Sequence, residues 1–247
     1  MDGKENVRIY TFNKNYFDII DSIDKAYWLG FIWCDGYVSY RNRNGSKSYD
    51  FKLSLSSEDI MHLNLFQFYL KSNHVIREYE IKNGFETKNR EARLLICNKY
   101  FGEILYKNYG LIPNRHNASN VINKIPYEFR YHFIRGILDA DGSIIKRNII
   151  YKKTEALEYS IAFSTYEELL IYINNIMLQD SLTDTRYKLS KRHEGEDGYC
   201  KTLRITGNIL IHNILTKIYS DSENLRLERK YSKYIDLLQY IQGKGVM

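Results

Sequence analysis

Two acidic residues of this sequence have closely similar neighbours. Asp35 precedes Gly36 at the end of the segment WLGFIWCDG, and Asp141 precedes Gly142 at the end of the segment IRGILDADG. Carboxylate oxygens are ligands that hard divalent cations such as Mg²⁺ prefer in proteins. If folding brings the two acids together, they form a candidate site for divalent metal ions.

Each segment is predicted to form the last turns of an apolar helix. The glycine after the acid then stands where many helices end in a left-handed residue, so we expect that conformation at Gly36 and Gly142. A helix C-terminus carries about half a negative charge, and a carboxylate there costs stability that a bound cation would restore. One Asp-Gly pair alone is typical of an ordinary turn. The repetition of the whole frame favours a metal site.

Small residues recur one turn apart in both segments. Gly30 and Cys34 share one face of the first predicted helix, and Gly136 and Ala140 share one face of the second. Small side chains allow two backbones to approach closely. We therefore expect the helices to pack through these faces, with the two acids side by side.

The elements that must position these helices also repeat. After the first segment, the periodicity predicts two strands, a helix, two strands and a helix ending near Tyr109, and the same order follows the second segment. Residues 50–56 alternate between apolar and polar, as in a half-buried strand. Ser56 is a predicted N-cap of the next helix, and Thr165 and Glu168 form a predicted capping box. Each half is therefore an αββαββα unit in an α+β fold.

The predicted division of the chain has three parts. Residues 1–112 form the first half, residues 113–126 form a linker that contains both prolines, and residues 127–247 form the second half. An additional amphipathic helix, roughly residues 224–241, ends the second half.

The second segment resembles the motif that names the LAGLIDADG homing endonucleases and the related maturases. It reads GILDADG from Gly136 to Gly142, whereas the first segment is a looser match, with Trp33 in place of the motif's earlier Asp. Two motifs in one chain are similar to the single-chain members. The resemblance implies pseudo-twofold halves with the motif helices at their interface, and two antiparallel sheets that form a DNA-binding saddle.

The resemblance also implies an activity. Members of this family are site-specific endonucleases that make a staggered double-strand break in a long DNA target by metal-dependent hydrolysis. It implies metal binding by Asp35 and Asp141 with the backbone carbonyls of Cys34 and Ala140. Mg²⁺ is the expected cofactor, and Mn²⁺ or Ca²⁺ could occupy the same sites. An RNA maturase, or a non-cleaving nucleic-acid-binding protein of the same fold, is the alternative that the residues leave open.

Each half of such a protein also has a basic residue near the scissile phosphate, after its last helix. This implies a catalytic role for Arg115 in the first half and for Lys230 in the second, with Arg229 as the alternative. Arg135 stands four residues before Asp139, a spacing that predicts an ion pair between them on a helix.

Basic and hydroxyl side chains on strands and nearby polar stretches are the predicted DNA contacts. A two-stranded ribbon fits the major groove, where such side chains reach base edges, and other basic residues would contact phosphates. The predicted contacts are Arg41, Arg43, Lys47, Lys52, Ser54, Arg93, Lys146, Arg147, Lys152, Arg186, Lys188, Ser190 and Arg204.

The composition agrees with a DNA-binding globular protein and argues against several other classes. The 247 residues are 44% hydrophobic and 27% charged, with a net charge of +6 that suits a polyanionic partner. The three cysteines and six histidines are scattered, which predicts neither disulfides nor a zinc site and indicates an intracellular, reducing compartment. We expect no membrane span, no signal peptide at the N-terminus and a monomer without a protein partner.

Overall fold

The computed structural model describes residues 10–83, 86–113, 118–151, 154–184, 187–191 and 200–244. The elements of its first part are α1 (Ile23–Asp35), β1 (Gly36–Arg43), β2 (Ser46–Ser56), α2 (Ile60–Tyr69), β3 (Arg77–Asn83), β4 (Glu86–Cys97) and α3 (Lys99–Tyr109). A short helix, α4 (Ser119–Ile122), lies inside the predicted linker. The elements that follow are α5 (Arg130–Asp141), β5 (Gly142–Tyr151), β6 (Thr154–Tyr166), α6 (Glu167–Gln179), β7 (Leu189–Lys191), β8 (Cys200–Thr206), α7 (Asn208–Tyr219) and α8 (Glu228–Gly243).

The strands form two antiparallel four-stranded sheets with the same topology. The order is β1-β2-β4-β3 in the first sheet and β5-β6-β8-β7 in the second. With the helices included, the αββαββα order occurs twice, and α8 is the additional C-terminal helix. The predicted α+β fold class is confirmed. Within the described residues, we find no helix with the length and apolar character that a membrane crossing requires.

Alternation along the strands gives each sheet one covered and one open face. In β2, Phe51, Leu53 and Leu55 are buried against the helices, while Lys52 and Ser54 point to the other side. Because side chains alternate with a period of two, apolar residues at every second position are sufficient to bury one face. We call the side opposite the helices the open face.

Two helix starts can be compared with the sequence. The Ser56 hydroxyl accepts a hydrogen bond from the Glu58 amide and caps a 3₁₀ turn that leads into α2. The predicted Thr165–Glu168 capping box is wrong, because β6 continues past Thr165 and no side chain caps α6. The Glu168 carboxylate instead accepts a hydrogen bond from the Ala118 amide, which ties the predicted linker to the second half.

The two motif helices form the centre of the core. Every residue of α1 from Ala26 to Trp33 is buried, and so is every residue of α5 from His132 to Asp139. A helix that is buried on all sides must be packed on all sides. Here α1 and α5 pack against each other, against the sheets and against outer helices.

Candidate active site at the paired helix ends

The two motif helices touch through their backbones at two glycines. A Cβ atom on Gly136 would lie 2.1 Å from the Tyr27 carbonyl oxygen, and one on Gly30 would lie 2.2 Å from the Phe133 carbonyl oxygen. No side chain fits at either position, because a backbone oxygen cannot move aside as a side chain can. The expected close packing of the helices is confirmed at these glycines.

Both helices end in the same region of the molecule. The Cys34 Sγ, near the end of α1, lies 3.9 Å from the Thr165 hydroxyl of β6. Two residues earlier in β6, Phe163 pairs with Gly142, the residue that follows α5. The end of α1 is therefore adjacent to the end of α5. Asp35 and Asp141, the last residues of the two helices, are both half-buried there.

The glycines after the two acids do not adopt the predicted left-handed conformation. Gly36 has φ −94° and Gly142 has φ −93°, both in the extended region, because a strand begins at each glycine. Both positions require glycine because there is no space for a Cβ atom. An added Cβ would lie 2.7 Å from the Ile32 carbonyl oxygen at Gly36 and 2.5 Å from the Leu138 carbonyl oxygen at Gly142.

Lys230 of α8 lies directly against the end of α5. Its side chain is buried, and its ammonium group donates to the carbonyl oxygens of Leu138 (2.8 Å), Asp139 and Ala140 (3.1 Å). These three bonds use all three donors of the ammonium group, and a cation there offsets the negative helix end. The Ala140 carbonyl, a predicted metal ligand, therefore already accepts one hydrogen bond.

The electrostatic surroundings of Lys230 include both terminal acids. Burial lowers the pKa of Lys230 to about 8, and Arg229 also lowers it, whereas Asp139, Asp35 and Asp141 raise it. The structure thus brings the predicted catalytic lysine and both predicted metal-binding acids into one electrostatic environment.

The carboxylate of Asp139 is fully buried behind Lys230 and the two terminal acids. Its carboxylate accepts hydrogen bonds from the hydroxyls of Tyr27 (2.9 Å) and Tyr219 (3.0 Å) and from the Leu227 amide (2.9 Å). Burial raises the pKa of Asp139, while these hydrogen bonds and Lys230 oppose the rise. Because Leu227 immediately precedes α8, the bond to its amide holds the helix that carries Lys230.

The predicted ion pair between Arg135 and Asp139 is wrong. The Arg135 Nη1 atom instead donates to the carbonyl oxygens of Ile218 (3.1 Å) and Ser220 (3.3 Å), at the end of α7. Two tyrosines and a backbone amide already occupy the Asp139 carboxylate. The spacing therefore placed the two residues on one helix face, but their partners come from other elements.

A cleft of about 420 Å³ opens beside Asp35. Arg229 lies on its wall and donates from Nε to both carboxylate oxygens of Asp59, at 3.1 and 3.0 Å. Asp59 also lines the cleft, and the sequence analysis did not predict it as a site residue. No local signal connects it with Arg229, because the two residues are far apart in the chain.

The residues at the helix ends fit a hard divalent cation with few protein ligands. In the described part of the chain, no group of three or more His, Cys, Asp or Glu side chains is arranged to hold a metal ion. Mg²⁺ commonly takes only one or two carboxylates and completes its shell with water and substrate phosphate oxygens. Asp35 and Asp141 can supply such carboxylates.

Comparison with known proteins identifies the fold of the chain. No protein-family model and no curated protein sequence matches this chain. Among solved structures, the meganuclease I-SmaMI bound to an uncleavable DNA is similar with 12% identity and a TM-score of 0.57, over 89% of this chain and 90% of that chain. The I-LtrWI LAGLIDADG homing endonuclease bound to target DNA is similar with 13% identity and a TM-score of 0.53, over 91% and 97%.

The chain has the single-chain LAGLIDADG homing endonuclease fold. A further structure of this fold, I-SmaMI bound to an uncleaved DNA target in the presence of calcium ions, is 11% identical, with a TM-score of 0.57 over 89% of this chain and 92% of that chain. At such identities, the similarity establishes the fold, and the roles of individual residues stay predictions.

Most predicted DNA contacts lie on the open faces of this LAGLIDADG fold. By strand alternation and register, those on the open faces are Arg41, Arg43, Lys52, Ser54, Arg93, Arg147, Ser190 and Arg204. Acidic residues of the same faces already pair with some of these arginines. Arg93 pairs with Glu91, and Arg147 pairs with Glu158.

The other predicted contacts are placed differently. Lys146 is on the covered face, where it forms an ion pair of 2.8 Å with Asp236 of α8, and alternation also places Lys47 on the covered face. Lys188 is exposed just before β7. Arg115, Lys152 and Arg186 lie outside the described residues. Lys146 belongs to one of the polar stretches with predicted DNA contacts, and it lies on the side of β5 that α8 covers.

Proposed function

We propose that this chain is a site-specific endonuclease that makes a staggered double-strand break in a long DNA target by metal-dependent hydrolysis. The observation that carries the proposal is the convergence of α1 and α5. They touch at two glycines, and both end in an aspartate in the same region. The proteins with this fold named above were solved with DNA, and one of them with calcium ions.

Asp35 and Asp141 are the proposed metal ligands, assisted by the carbonyl oxygens of Cys34 and Ala140. Bound Mg²⁺ would supply an activated water and stabilise the leaving oxygen, and Mn²⁺ or Ca²⁺ could occupy the same sites. Two such acids suit one active centre for each DNA strand. The chain's own contribution is to hold both carboxylates half-buried at helix ends, where a cation relieves their repulsion with the helix dipoles.

Lys230 is the proposed source of positive charge at the second centre, because its ammonium group lies against the end of α5. Arg229, exposed in the cleft beside Asp35, is the alternative. Arg115 would serve the first centre. The open faces of the two sheets would hold the duplex, and because one chain supplies both acids, a monomer is sufficient.

The decisive experiment is cleavage of a randomised duplex library in Mg²⁺ by the wild type and by Asp35→Asn, Asp141→Asn and Asp236→Asn. We expect staggered double-strand cuts by the wild type and at most nicking by the first two variants. Asp236 is an acid on α8 away from the helix ends, so its variant is the matched control and should cut normally.

Binding must be measured separately from cutting. We expect the two site variants to retain binding of the selected duplex in Ca²⁺, because the open faces are unchanged. Equal cutting by wild type and site variants would overturn the proposed site. The absence of any cutting by wild type, with duplex binding retained, would overturn the endonuclease proposal in favour of a non-cleaving binder.

Single-turnover rates separate Lys230 from Arg229. Removal of one charged donor from a reacting phosphate typically slows reaction about a hundredfold. We expect a loss of that order for Lys230→Met and a smaller one for Arg229→Ala. The reverse order would assign the role to Arg229.

A further inference from the structure

A second concave site lies away from the paired helix ends, on the first sheet. It is a pocket of about 410 Å³ at the outer end of edge strand β3. Its wall includes Arg93 and Cys97 of β4, whereas the cleft beside Asp35 lies near Glu91 of the same strand. The pocket adjoins the cleft where Arg93 pairs with Glu91 at 2.9 Å, and it extends along β4 to Cys97, about 20 Å of extended strand from Glu91. The pocket shares Arg93 with the open face of the first sheet, but Tyr10 and His74, on its other side, belong to none of the strands.

One wall of the pocket is a fixed aromatic stack. The Tyr10 ring stacks on the His74 ring with a centroid distance of 4.7 Å and an interplanar angle of 14°, and the Phe12 ring meets His74 edge-on at 5.4 Å. Hydrogen bonds hold this wall in place. The Thr11 amide donates to the Asn73 side chain at 2.7 Å, and the Asn73 amide donates to the Thr11 carbonyl at 3.1 Å.

The other wall combines an exposed aromatic ring with two arginines. The Arg93 guanidinium lies 4.4 Å from the centre of the Tyr79 ring. Arg77 of β3 is directly opposite Arg93 in the sheet register, and like charges at such positions repel. Glu91 pairs with Arg93 at 2.9 Å, but Arg77 has no ion-pair partner among the described residues. An anion between the strands would relieve this repulsion.

Flat aromatic surfaces beside the guanidinium group of Arg77, which has no ion-pair partner among the described residues, match the chemistry of a nucleotide. A nucleobase stacks on aromatic rings, and its phosphate pairs with arginine. A base within a duplex is already stacked on both sides, so its face cannot reach Tyr10, which is 37% exposed. We propose that this pocket binds an unpaired nucleotide of single-stranded nucleic acid, with the base on the Tyr10–His74 wall and the phosphate at Arg77.

The test uses the full chain in EDTA and single-stranded DNA and RNA dodecamers of the same sequence, each with one 2-aminopurine. Stacking is expected to quench the 2-aminopurine emission on binding. Base stacking contributes about 1–3 kcal/mol, so Tyr10→Ala should weaken binding about 5- to 150-fold and remove the quenching. Tyr10→Phe should retain both, since it keeps the ring.

Tyr127→Ala is the matched control, because this tyrosine is also exposed but precedes α5, in the second half. It should leave affinity and quenching unchanged. Arg77→Ala should weaken binding and reduce the slope of log affinity against log salt by about 0.7, as expected for one lost contact to a single-stranded phosphate.

The outcomes separate the sources and the two proposals. If DNA and RNA bind equally and both depend on Tyr10, the pocket recognises the base and the phosphate alone. If RNA binds more tightly, the natural ligand is RNA. Binding that does not depend on Tyr10, or an equal loss of duplex binding in Tyr10→Ala, would overturn the pocket proposal. Duplex cutting in Mg²⁺ should be within twofold of wild type in Tyr10→Ala, so a failure of the endonuclease proposal is seen independently.

Discussion

The helices α1 and α5 share their ends but differ in what they contact behind those ends. Both have a glycine at their crossing and a terminal aspartate followed by glycine. Several buried positions behind the ends differ in chemistry. Where α5 has Arg135 and Asp139, α1 has Leu29 and Trp33, and all four side chains are fully buried.

Trp33 and Asp139 each form a hydrogen bond to the last residue of a neighbouring helix, but Trp33 is a donor and Asp139 is an acceptor. The Trp33 indole N–H donates to the carbonyl oxygen of Tyr109, the last residue of α3, at 2.8 Å. The Asp139 carboxylate accepts from the hydroxyl of Tyr219, the last residue of α7, at 3.0 Å. Each half therefore ties its motif helix to the end of its last long helix before the linker or α8.

The comparison shows which residues the geometry requires. The crossing glycines are common to both helices because the backbone contact depends on them, and the terminal acids that both helices share are those that the proposed metal site requires. The position two residues before the terminal acid needs only a buried hydrogen bond to the neighbouring helix. In the second half, an acceptor at this position also holds the amide before α8, and α8 brings Lys230 to the end of α5.

Adding a methyl group at the crossing tests the backbone contact that the two helices share, and its effect should be among the largest. We expect Gly136→Ala and Gly30→Ala to lower the free energy of unfolding by about 3 kcal/mol or more, since each Cβ would meet a backbone oxygen. Urea unfolding measures this. Gly243→Ala, where no atom lies within 4 Å of the added Cβ, is the control. A loss as small as in that control would contradict the backbone contact.

Removing the buried hydrogen bonds should destabilise the protein by a different amount in each half. Asp139→Ala leaves two tyrosine hydroxyls and one amide without their acceptor, and we expect a loss of about 3–5 kcal/mol. Trp33→Phe leaves only the Tyr109 carbonyl without its donor, and we expect about 1–2 kcal/mol. Denaturant unfolding of both variants tests this order, and equal losses would show that the two connections are equivalent.

Acid should destabilise both halves through one buried histidine each. Burial lowers the pKa of His62 to about 3 and that of His132 to about 4. Below pH 6.5 the unfolded chain binds protons that the folded chain does not, so stability falls as pH drops towards these values. Each histidine contributes at most about 1.4 kcal/mol per pH unit.

The histidine prediction is checked by urea midpoints from pH 7 to pH 4.5. His62→Gln and His132→Gln should each flatten the decline, and the double variant should flatten it further. A pH dependence that neither substitution changes would show that carboxylates dominate the acid response. Unequal flattening would identify the half that is more sensitive to acid.

The smallest expected effect concerns the contact between α8 and the first half. Arg229 pairs with Asp59 at 3.0 Å, but Arg229 is largely exposed. We expect less than about 1 kcal/mol of coupling in a double-mutant cycle of Arg229→Ala and Asp59→Asn, decreasing with added salt. A larger, salt-independent coupling would mean that this ion pair holds the halves together.

Local sequence patterns were sufficient to predict the order of helices and strands and the two helices that end in Asp35 and Asp141. The alternation of residues 50–56 predicted β2, and the two small-residue frames predicted the helix contact that Gly30 and Gly136 now make. Predictions that depended on partners from distant elements were wrong. Arg135 binds the end of α7 instead of Asp139, and Glu168 bonds to the Ala118 amide instead of capping its own helix.

The sequence by itself determined the repeated αββαββα order, the helices that end in Asp35 and Asp141, and the need for glycine where those helices cross. These follow from periodicity and side-chain size, which are local properties. Only the tertiary structure decided what surrounds the paired ends: Lys230 on the α5 carbonyls, Asp139 between three donors, and extended glycines where a left-handed turn was expected. A buried polar group bonds to whichever partner the packing of distant elements brings within reach. The spacing of residues along the chain does not predict that partner.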